Sequence, residues 1–180
     1  MGYAHNQKEQ SGQSLVELAM SLTLLLILLA GLVDLGRAFF TYITLRDAAQ
    51  EGASFASVGA KERIGSTGSE FATVAAYCNA IGNRVLVTTT DLSGNTPVSN
   101  GPLNLEGLAA SGDVTVVTQI NGVACTSATA ANICMGGAVS VRVNYTSFTL
   151  VMPFLGTILG GQTIPLSAVV VDSILTPPCQ

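Results

Sequence analysis

Charged residues are scarce in this chain. Only 10% of its 180 residues are charged, whereas 48% are hydrophobic; a soluble globular domain carries about 25% charged residues. This composition argues against a disordered tail and against an ordinary cytosolic enzyme. The 7 basic residues are outnumbered by 11 acidic ones, and they form no block. Because binding to a phosphate backbone needs a basic surface, we expect no nucleic-acid partner.

The residues that usually carry catalysis are also few. The chain has a single histidine, His5, and no CxxC pair, and the carboxylates from residue 91 onward are scattered: Asp91, Glu106, Asp113 and Asp172. Acid–base and nucleophilic catalysis need a positioned base, usually His or a carboxylate pair. P-loop, nucleophile-elbow and Rossmann motifs are absent from the sequence. We therefore expect no enzyme activity, no cofactor and no metal site.

The sequence does contain one long uncharged run. Every residue from Leu18 to Val33 is uncharged, and apolar neighbours extend the run to Leu15 and Leu35. At a rise of ~1.5 Å per residue, about 20 residues reach the ~30 Å thickness of a bilayer core. The run predicts a single membrane-spanning helix. The alternative is a buried core helix, but the chain has no other long helices to surround one.

The orientation of this helix does not follow from the positive-inside rule. Lys8 and the terminal amine precede the span, whereas Arg37 and Arg46 follow it closely. We place the N-terminus in the cytoplasm because the cysteines and the Ser/Thr/Asn-rich region suit the outside.

The N-terminal segment allows three interpretations. The first is a secretory signal peptide cleaved near Gly36 and Ala38, although the apolar run is long and Arg37 lies within that site. The second is a plain single-pass anchor. The third is a type IV prepilin, because a polar leader ends at Gly12 and an apolar helix follows whose lone charge is Glu17. Cleavage after Gly12 would leave Gln13 as the new N-terminus.

Glu17 has two explanations under these interpretations. A carboxylate at the edge of hydrocarbon costs a few kcal/mol unless it is paired, and cleavage creates a pairing group, the free amine of Gln13. The residues from Ser14 to Glu17 also form an S-x-x-E capping box, which would satisfy amides at a helix start without any assembly. Both explanations can hold in one molecule.

Residues beyond the span make the third interpretation more specific. The run from Asp34 to Phe40 and the run from Arg46 to Ala53, taken with Gly12, Gln13 and Glu17, closely resemble the TadE-like family, the pseudopilins or minor pilins of Tad (Flp-type) pilus systems. The resemblance covers residues 12–57. A looser likeness to the closing segment of such proteins lies in residues 141–168.

The resemblance implies a structural subunit and its partners. A prepilin peptidase would cleave after Gly12, and Glu17 would meet the Gln13 amine of a neighbouring subunit as helices pack. The other partners would be further pilin subunits, the pilus assembly machinery and, before assembly, membrane lipid. The protein would move from the cytoplasmic membrane to a surface pilus. The alternatives are a membrane-anchored or secreted β-rich binding domain that does not polymerise and, more remotely, an exported hydrolase.

The helix is expected to continue beyond the membrane. An amphipathic stripe recurs at spacings of three and four and predicts that the helix continues out of the membrane. If unbroken, the helix would run from Ser14 to about Ser57, with Gly31, Gly36 and Gly52 as possible bends. The stripe would contact the chain's own C-terminal domain first and neighbouring subunits second. Its members are Leu35, Phe39, Tyr42, Ile43, Arg46, Ala49, Ala53 and Ala56.

The rest of the chain reads as a small exported β-rich domain. A short helix is predicted through Cys78 to about Ile81, and Asn121-Gly122 predicts a hairpin turn. Residues 92–112 read as a long loop. The predicted strands are 84–90, 113–120, 138–150 and 163–174. The fold class is therefore α+β, with a leader at 1–12, an assembly helix at 13–57 and an antiparallel β-rich domain at 58–180.

Four cysteines follow the apolar run, as expected for a part of the chain in an oxidising compartment. Cys125 and Cys134 lie close in sequence between strands, so we predict that they pair. Cys78 and Cys179 would then form the second disulfide. The spacing alone fixes no pairing, so the alternatives are another of the three pairings or four reduced thiols.

Overall fold

The computed structural model describes residues 10–58, 64–65, 69–86, 103–129, 133, 136–152, 156–157 and 160–175. The chain divides into two compact units, one of residues 1–38 and 150–162 and the other of residues 39–149 and 163–180. Helix α1, Gln10–Ser57, begins in the first unit and ends in the second. It contains no proline and is rich in leucine and alanine, which are strong helix formers. The predicted long helix is confirmed.

The first unit contains the apolar part of α1. Its most apolar 18-residue window has a mean hydropathy of 2.4 and no buried residue, and α1 alone among the described helices is long and apolar enough to cross a membrane. Residues 12–30 are all exposed. The unit also contains the segment 150–162, which joins two strands of the second unit. We call its described first residues, 150–152, the β3–β4 connection.

The second unit is built on a four-stranded antiparallel sheet. Its strands are β1, Val114–Ile120; β2, Val123–Ala124; β3, Ala138–Thr149; and β4, Thr163–Ser173. Their order is β2-β1-β3-β4. The register of β1 on β3 pairs Val114 with Tyr145 and Ile120 with Val139. Three of the four predicted strands are thus confirmed, and so is the α+β fold class.

The predicted hairpin turn joins β1 to β2. Asn121 and Gly122 both have positive φ, 52° and 79°, which a two-residue type I′ turn requires and which Asn-Gly tolerates best. The Asn121 side chain also accepts a hydrogen bond from the backbone N–H of Ala138 at 2.7 Å. The turn therefore ties the start of β3 to the β1–β2 hairpin.

Two short helices and the end of α1 complete the core. Helix α2 is Val74–Leu86, and helix α3 is Leu105–Ala110. Alternate residues of β3 are fully buried, as period-two side-chain alternation predicts. They belong to one hydrophobic cluster with residues from the helices; its largest fully buried members include Leu45, Tyr77, Ile81, Val85, Ile120, Val139, Val141 and Val143.

The structure corrects the prediction for residues 84–112. Residues 84–86 form the last turn of α2 rather than the start of a strand, and residues 87–90 lie outside the described residues. The buried positions Tyr77, Cys78, Ile81 and Val85 follow helical spacing, so packing extends the helix past Ile81. Residues 103–112 include α3, whose N-cap Asn104 accepts from the N–H of Gly107 at 3.0 Å. The remainder of the predicted loop, residues 92–102, lies outside the described residues.

Candidate functional site

The predicted cleavage site lies on an accessible helical segment. Gly12 and Gln13 are exposed residues of α1. A Cβ added at Gly12 would meet no atom within 4 Å, so the described residues leave the α-carbon of Gly12 open. The cleavage itself stays a prediction.

Glu17 lies one helical turn after Gln13 and is exposed. Within the described part of the chain, no cation forms an ion pair with its carboxylate. Two nearby hydroxyl groups are satisfied within the helix instead: Ser21 donates to the carbonyl of Glu17 at 2.9 Å, and Thr23 donates to the carbonyl of Ala19 at 2.8 Å. Among the described residues, the Glu17 carboxylate therefore has no ion-pair partner, whereas the hydroxyl groups of Ser21 and Thr23 are hydrogen-bonded within the helix.

The capping-box explanation of Ser14 and Glu17 does not apply to the uncleaved chain. Helix α1 begins at Gln10, four residues before Ser14, so Ser14 lies inside the helix and not at its N-cap. A capping box acts on the unsatisfied amides of the first turn. The leader residues extend the helix and move that first turn away from Ser14.

The surface around Glu17 and after it is a continuous array of exposed aliphatic side chains. Leu24, for example, is 62% exposed and Leu28 is 66% exposed. Monomeric soluble proteins rarely expose contiguous apolar patches of more than a few hundred Å². The array requires lipid or neighbouring protein; its large members between residues 15 and 35 are Leu15, Val16, Leu18, Met20, Leu22, Leu24, Leu25, Leu26, Ile27, Leu28, Leu29, Leu32, Val33 and Leu35.

A buried carboxylate marks the end of this array. Asp34 is only 2% exposed and accepts the backbone N–H groups of Val151 at 3.1 Å and Met152 at 2.8 Å. Arg37 lies 3.4 Å from Asp34 Oδ1. One turn before Asp34, a Cβ added at Gly31 would lie 3.7 Å from Met152 Sδ. We call this set of contacts the Asp34 clamp.

Sequence reasoning missed the Asp34 clamp. In the sequence, Asp34 follows the uncharged run and begins the run to Phe40 that carries part of the family resemblance. Its hydrogen-bond partners lie 117 and 118 positions away. A single sequence holds no local pattern that links such distant segments. Gly31 lies one turn before Asp34 on the same helix face. A glycine at this spacing was a local indication that another segment could pack against the helix beside Asp34.

The predicted stripe of α1 is partly wrong. Ala49, Ala53 and Ala56 are fully buried as predicted. The larger members of the predicted stripe are exposed: Leu35, Phe39, Tyr42, Ile43 and Arg46. The observed buried face consists mostly of small residues, namely Thr41, Leu45, Ala48, Ala49, Gly52, Ala53, Ala56 and Ser57.

Small residues are buried there because α2 packs very close to α1. A Cβ on Gly52 would collide with the side chain of Val85 and lie 3.6 Å from Ile81 Cγ2. The hydroxyl of Tyr77 donates to the carbonyl of Ala56 at 2.6 Å. Close backbone approach therefore selects glycine and alanine on this face and leaves the large apolar residues outside.

The structure corrects the predicted disulfides. Cys78 of α2 is bonded to Cys125, with Cα atoms 5.8 Å apart and a sequence separation of 47. Pairing of Cys125 with Cys134 and of Cys78 with Cys179 is therefore wrong. Closeness in sequence favours pairing of Cys125 with Cys134, whereas in the fold α2 packs on the 3₁₀ turn Cys125–Ser127. Cys134 and Cys179 lie outside the described residues. Closing a loop of this length stabilises a fold by about 4 kcal/mol in the chain-entropy description.

Comparison with known protein families gives one match, which lies within α1. No curated protein and no solved structure matches the chain significantly. Residues 12–54 match a protein family described as TadE-like protein. The match contains Gly12, Gln13, Glu17, the apolar array and most of the buried small-residue face, and it confirms the resemblance drawn from the sequence. Residues 12–54 are therefore similar to the TadE-like family, and we call them the TadE-like segment.

Proposed function

We propose that this protein is a pilin-like structural subunit of a Tad or type IV-related pilus. It enters the cytoplasmic membrane as a prepilin, is cleaved after Gly12 by a prepilin peptidase, and joins other subunits through α1. The observation that carries this proposal is the exposed apolar array of α1 with Glu17 at its start, within the TadE-like segment.

The physical argument concerns what covers the apolar array. In the membrane, acyl chains cover it, and a helix of this length and hydropathy inserts stably. In a filament, the helices of neighbouring subunits replace the lipid. The array supplies non-directional contact in both settings, so a second interaction is needed to set the axial position of each subunit.

Glu17 supplies that second interaction in the proposal. A carboxylate near hydrocarbon costs a few kcal/mol while it is unpaired. The Gln13 amine of an adjacent subunit, created by cleavage, offsets this cost and fixes the register between helices. The same logic operates in coiled coils, where a single buried polar residue specifies register.

The disulfide supports the proposed orientation. A disulfide persists in an oxidising compartment, so the unit that contains Cys78 and Cys125 lies outside the cytoplasm. The N-terminus then lies in the cytoplasm before cleavage. The subunit finally leaves the membrane for a surface pilus.

Replacement of Glu17 by Gln tests this role. Glu17→Gln keeps the size of the side chain but cannot pair ionically with an amine. We expect normal amounts of processed protein in the membrane and a filament yield reduced about tenfold or more, as the loss of a pairing of over 1.4 kcal/mol implies. The measurement is immunoblotting of membrane and sheared-filament fractions from piliated cells.

The matched control is Asp47→Asn. Asp47 is another exposed carboxylate of α1, outside the apolar array, so its neutralisation should leave the filament yield unchanged. A wild-type filament yield for Glu17→Gln would contradict the assigned role. Loss of Glu17→Gln from the membrane fraction itself would instead show that Glu17 acts in insertion.

A further inference from the structure

We propose that the β3–β4 connection is a second membrane contact, which lies in the lipid headgroup interface beside the outer end of the α1 span. The ligand is a phospholipid bilayer. This inference rests on the proposed function in one respect, namely that α1 spans the membrane before assembly.

The Asp34 clamp fixes the depth of the connection. Val151 and Met152 both donate their backbone N–H groups to the Asp34 carboxylate, and Met152 packs over Gly31. The uncharged run of α1 ends at Val33. The connection is therefore held within one turn of the point where α1 leaves the hydrocarbon, whatever the tilt of the helix.

The clamp also lowers the cost of placing this backbone near lipid. An unsatisfied N–H group at membrane depth costs several kcal/mol. Here two consecutive N–H groups share one carboxylate, which is 2% exposed. Arg37 lies 3.4 Å from that carboxylate, and its side chain is 47% exposed. A long cationic side chain at a span end can extend to the phosphates while it balances the buried acid.

The chemistry of the connection suits an interface. Residues 150–162 contain no charged side chain and include Leu150, Val151 and Met152 in succession. Met152 is 8% exposed against the helix, whereas the adjacent Val151 is 67% exposed. An aliphatic side chain therefore projects outward from a backbone that is anchored at the edge of the membrane.

Lipid is a better occupant here than a second copy of the chain. The exposed residues Leu32, Val33 and Leu35 of α1 flank Asp34 in sequence and continue the apolar array that lipid covers before assembly. Val151 is attached at the same level, so its surface continues that array. The lipid contact precedes any contact with another subunit.

Tryptophan fluorescence tests the proposal directly, because the chain contains no tryptophan. Val151→Trp then carries a single probe on the connection. The full chain is reconstituted in phosphatidylcholine vesicles at low protein density, with lipids brominated near the carboxyl end of the acyl chain as quenchers. Val171→Trp is the matched control because Val171, on β4, is 63% exposed. Leu24→Trp is the reference within the span.

We expect brominated lipid to reduce Val151→Trp emission by about half, as for an interfacial tryptophan, and to leave Val171→Trp nearly unchanged. Adding Asp34→Asn removes one acceptor of the clamp. Combined with Val151→Trp, this substitution should lower the quenching by brominated lipid. Combined with Leu24→Trp, it should leave the quenching unchanged. Together these results would establish both the contact and its anchor.

Equal quenching of Val151→Trp and Val171→Trp, with Leu24→Trp strongly quenched, overturns the proposal but leaves the membrane span intact. An unquenched Leu24→Trp overturns the span and this proposal together. Val151→Trp emission that is quenched only after the protein is diluted in lipid would mean that a second copy of the chain covers Val151 at higher density. This result would also overturn the proposal.

Discussion

Single carboxylates connect distant segments at two places in this molecule. Asp34 joins α1 to the β3–β4 connection, as described above. Asp113, just before β1, accepts hydrogen bonds from the hydroxyl groups of Ser111, at 2.6 Å, and Ser147. Its backbone carbonyl also accepts from the N–H of Thr146 at 2.9 Å. These bonds lie where the register of β3 shifts, between Tyr145 and Phe148, so Asp113 secures the irregular part of the sheet.

The Asp113 contacts predict a pH dependence. The hydroxyl groups of Ser111 and Ser147 stabilise the carboxylate and lower the pKa of Asp113 below the ordinary value of 3.8. A lowered pKa contributes stability above the unfolded-state pKa, and this contribution is lost as the pH falls through the folded-state pKa. The melting temperature of the wild type should therefore exceed that of Asp113→Asn at pH 6, and the difference should shrink below about pH 4.

Thermal melts of the detergent-solubilised full chain, followed by circular dichroism between pH 6 and pH 2.5, measure this difference. Ser147→Ala is the control background. It removes one of the two hydroxyl donors, so the effect of Asp113→Asn should be smaller there. A melting-temperature difference that stays constant across this range would contradict the assigned hydrogen bonds.

At the scale of elements, the contact of α1 with α2 depends on residue size. Gly52 is buried against Val85 and Ile81, and Phe55 of the same helix stacks on Tyr77 with ring centroids 6.4 Å apart. The guanidinium of Arg84 lies over the Phe55 ring, 5.5 Å from its centroid. Phe55, Tyr77 and Arg84 thus lie beside the place where the backbones of α1 and α2 approach most closely.

Gly52→Ala should destabilise the protein although alanine favours helices. Overpacking in a rigid contact costs about 1–3 kcal/mol, because a β-branched valine has few alternative rotamers. The higher helix propensity of alanine offsets up to about 1 kcal/mol. We expect the free energy of unfolding to fall by about 1–2 kcal/mol in denaturant titrations of the full chain.

Gly82→Ala is the matched control. Gly82 lies inside α2, and an added Cβ would meet nothing within 4 Å, so this substitution should stabilise the protein by about 0.5–1 kcal/mol. In a Val85→Ala background, Gly52→Ala should cost less than in the wild type. Equal stabilisation by both glycine substitutions would refute the close approach of α1 and α2.

The elements also show what a single sequence can reveal. Strands β1, β3 and β4 were predictable because β-branched residues are concentrated there. The turn after β1 was predictable because Asn-Gly, at Asn121-Gly122, is typical of a type I′ hairpin turn. Helix α3 was missed, although Asn104 with Glu106 two residues later is a recognisable helix start. The buried face of α1 was misjudged because large apolar residues were weighted above small ones.

Contacts between distant segments account for what the sequence did not reveal. The Cys78–Cys125 bond and the Asp34 clamp depend on which elements pack together, and periodicity within an element does not carry that information. The candidate site likewise contains residues that the sequence indicates and contacts that it does not. The roles proposed for Gly12, Gln13 and Glu17 rest on local spacing and family resemblance, whereas the Asp34 clamp emerged from the structure alone.

At the scale of the whole molecule, the two compact units suit different surroundings. The first exposes a continuous apolar array and buries one carboxylate by hydrogen bonding. The second has its own hydrophobic cluster and a disulfide that joins α2 to the turn after β2. A membrane-inserted subunit that later polymerises needs both properties, because its helix must accept lipid and protein in turn while its other unit stays folded.

The N-terminus of the protein recovered from piliated cells tests this account most directly. N-terminal sequencing and intact mass are measured on the membrane fraction and on sheared surface filaments. The account predicts that filament protein begins at Gln13 and lacks the mass of residues 1–12. Filament protein that begins at Met1 or at Phe39, or processed protein that never enters the filament fraction, would contradict it.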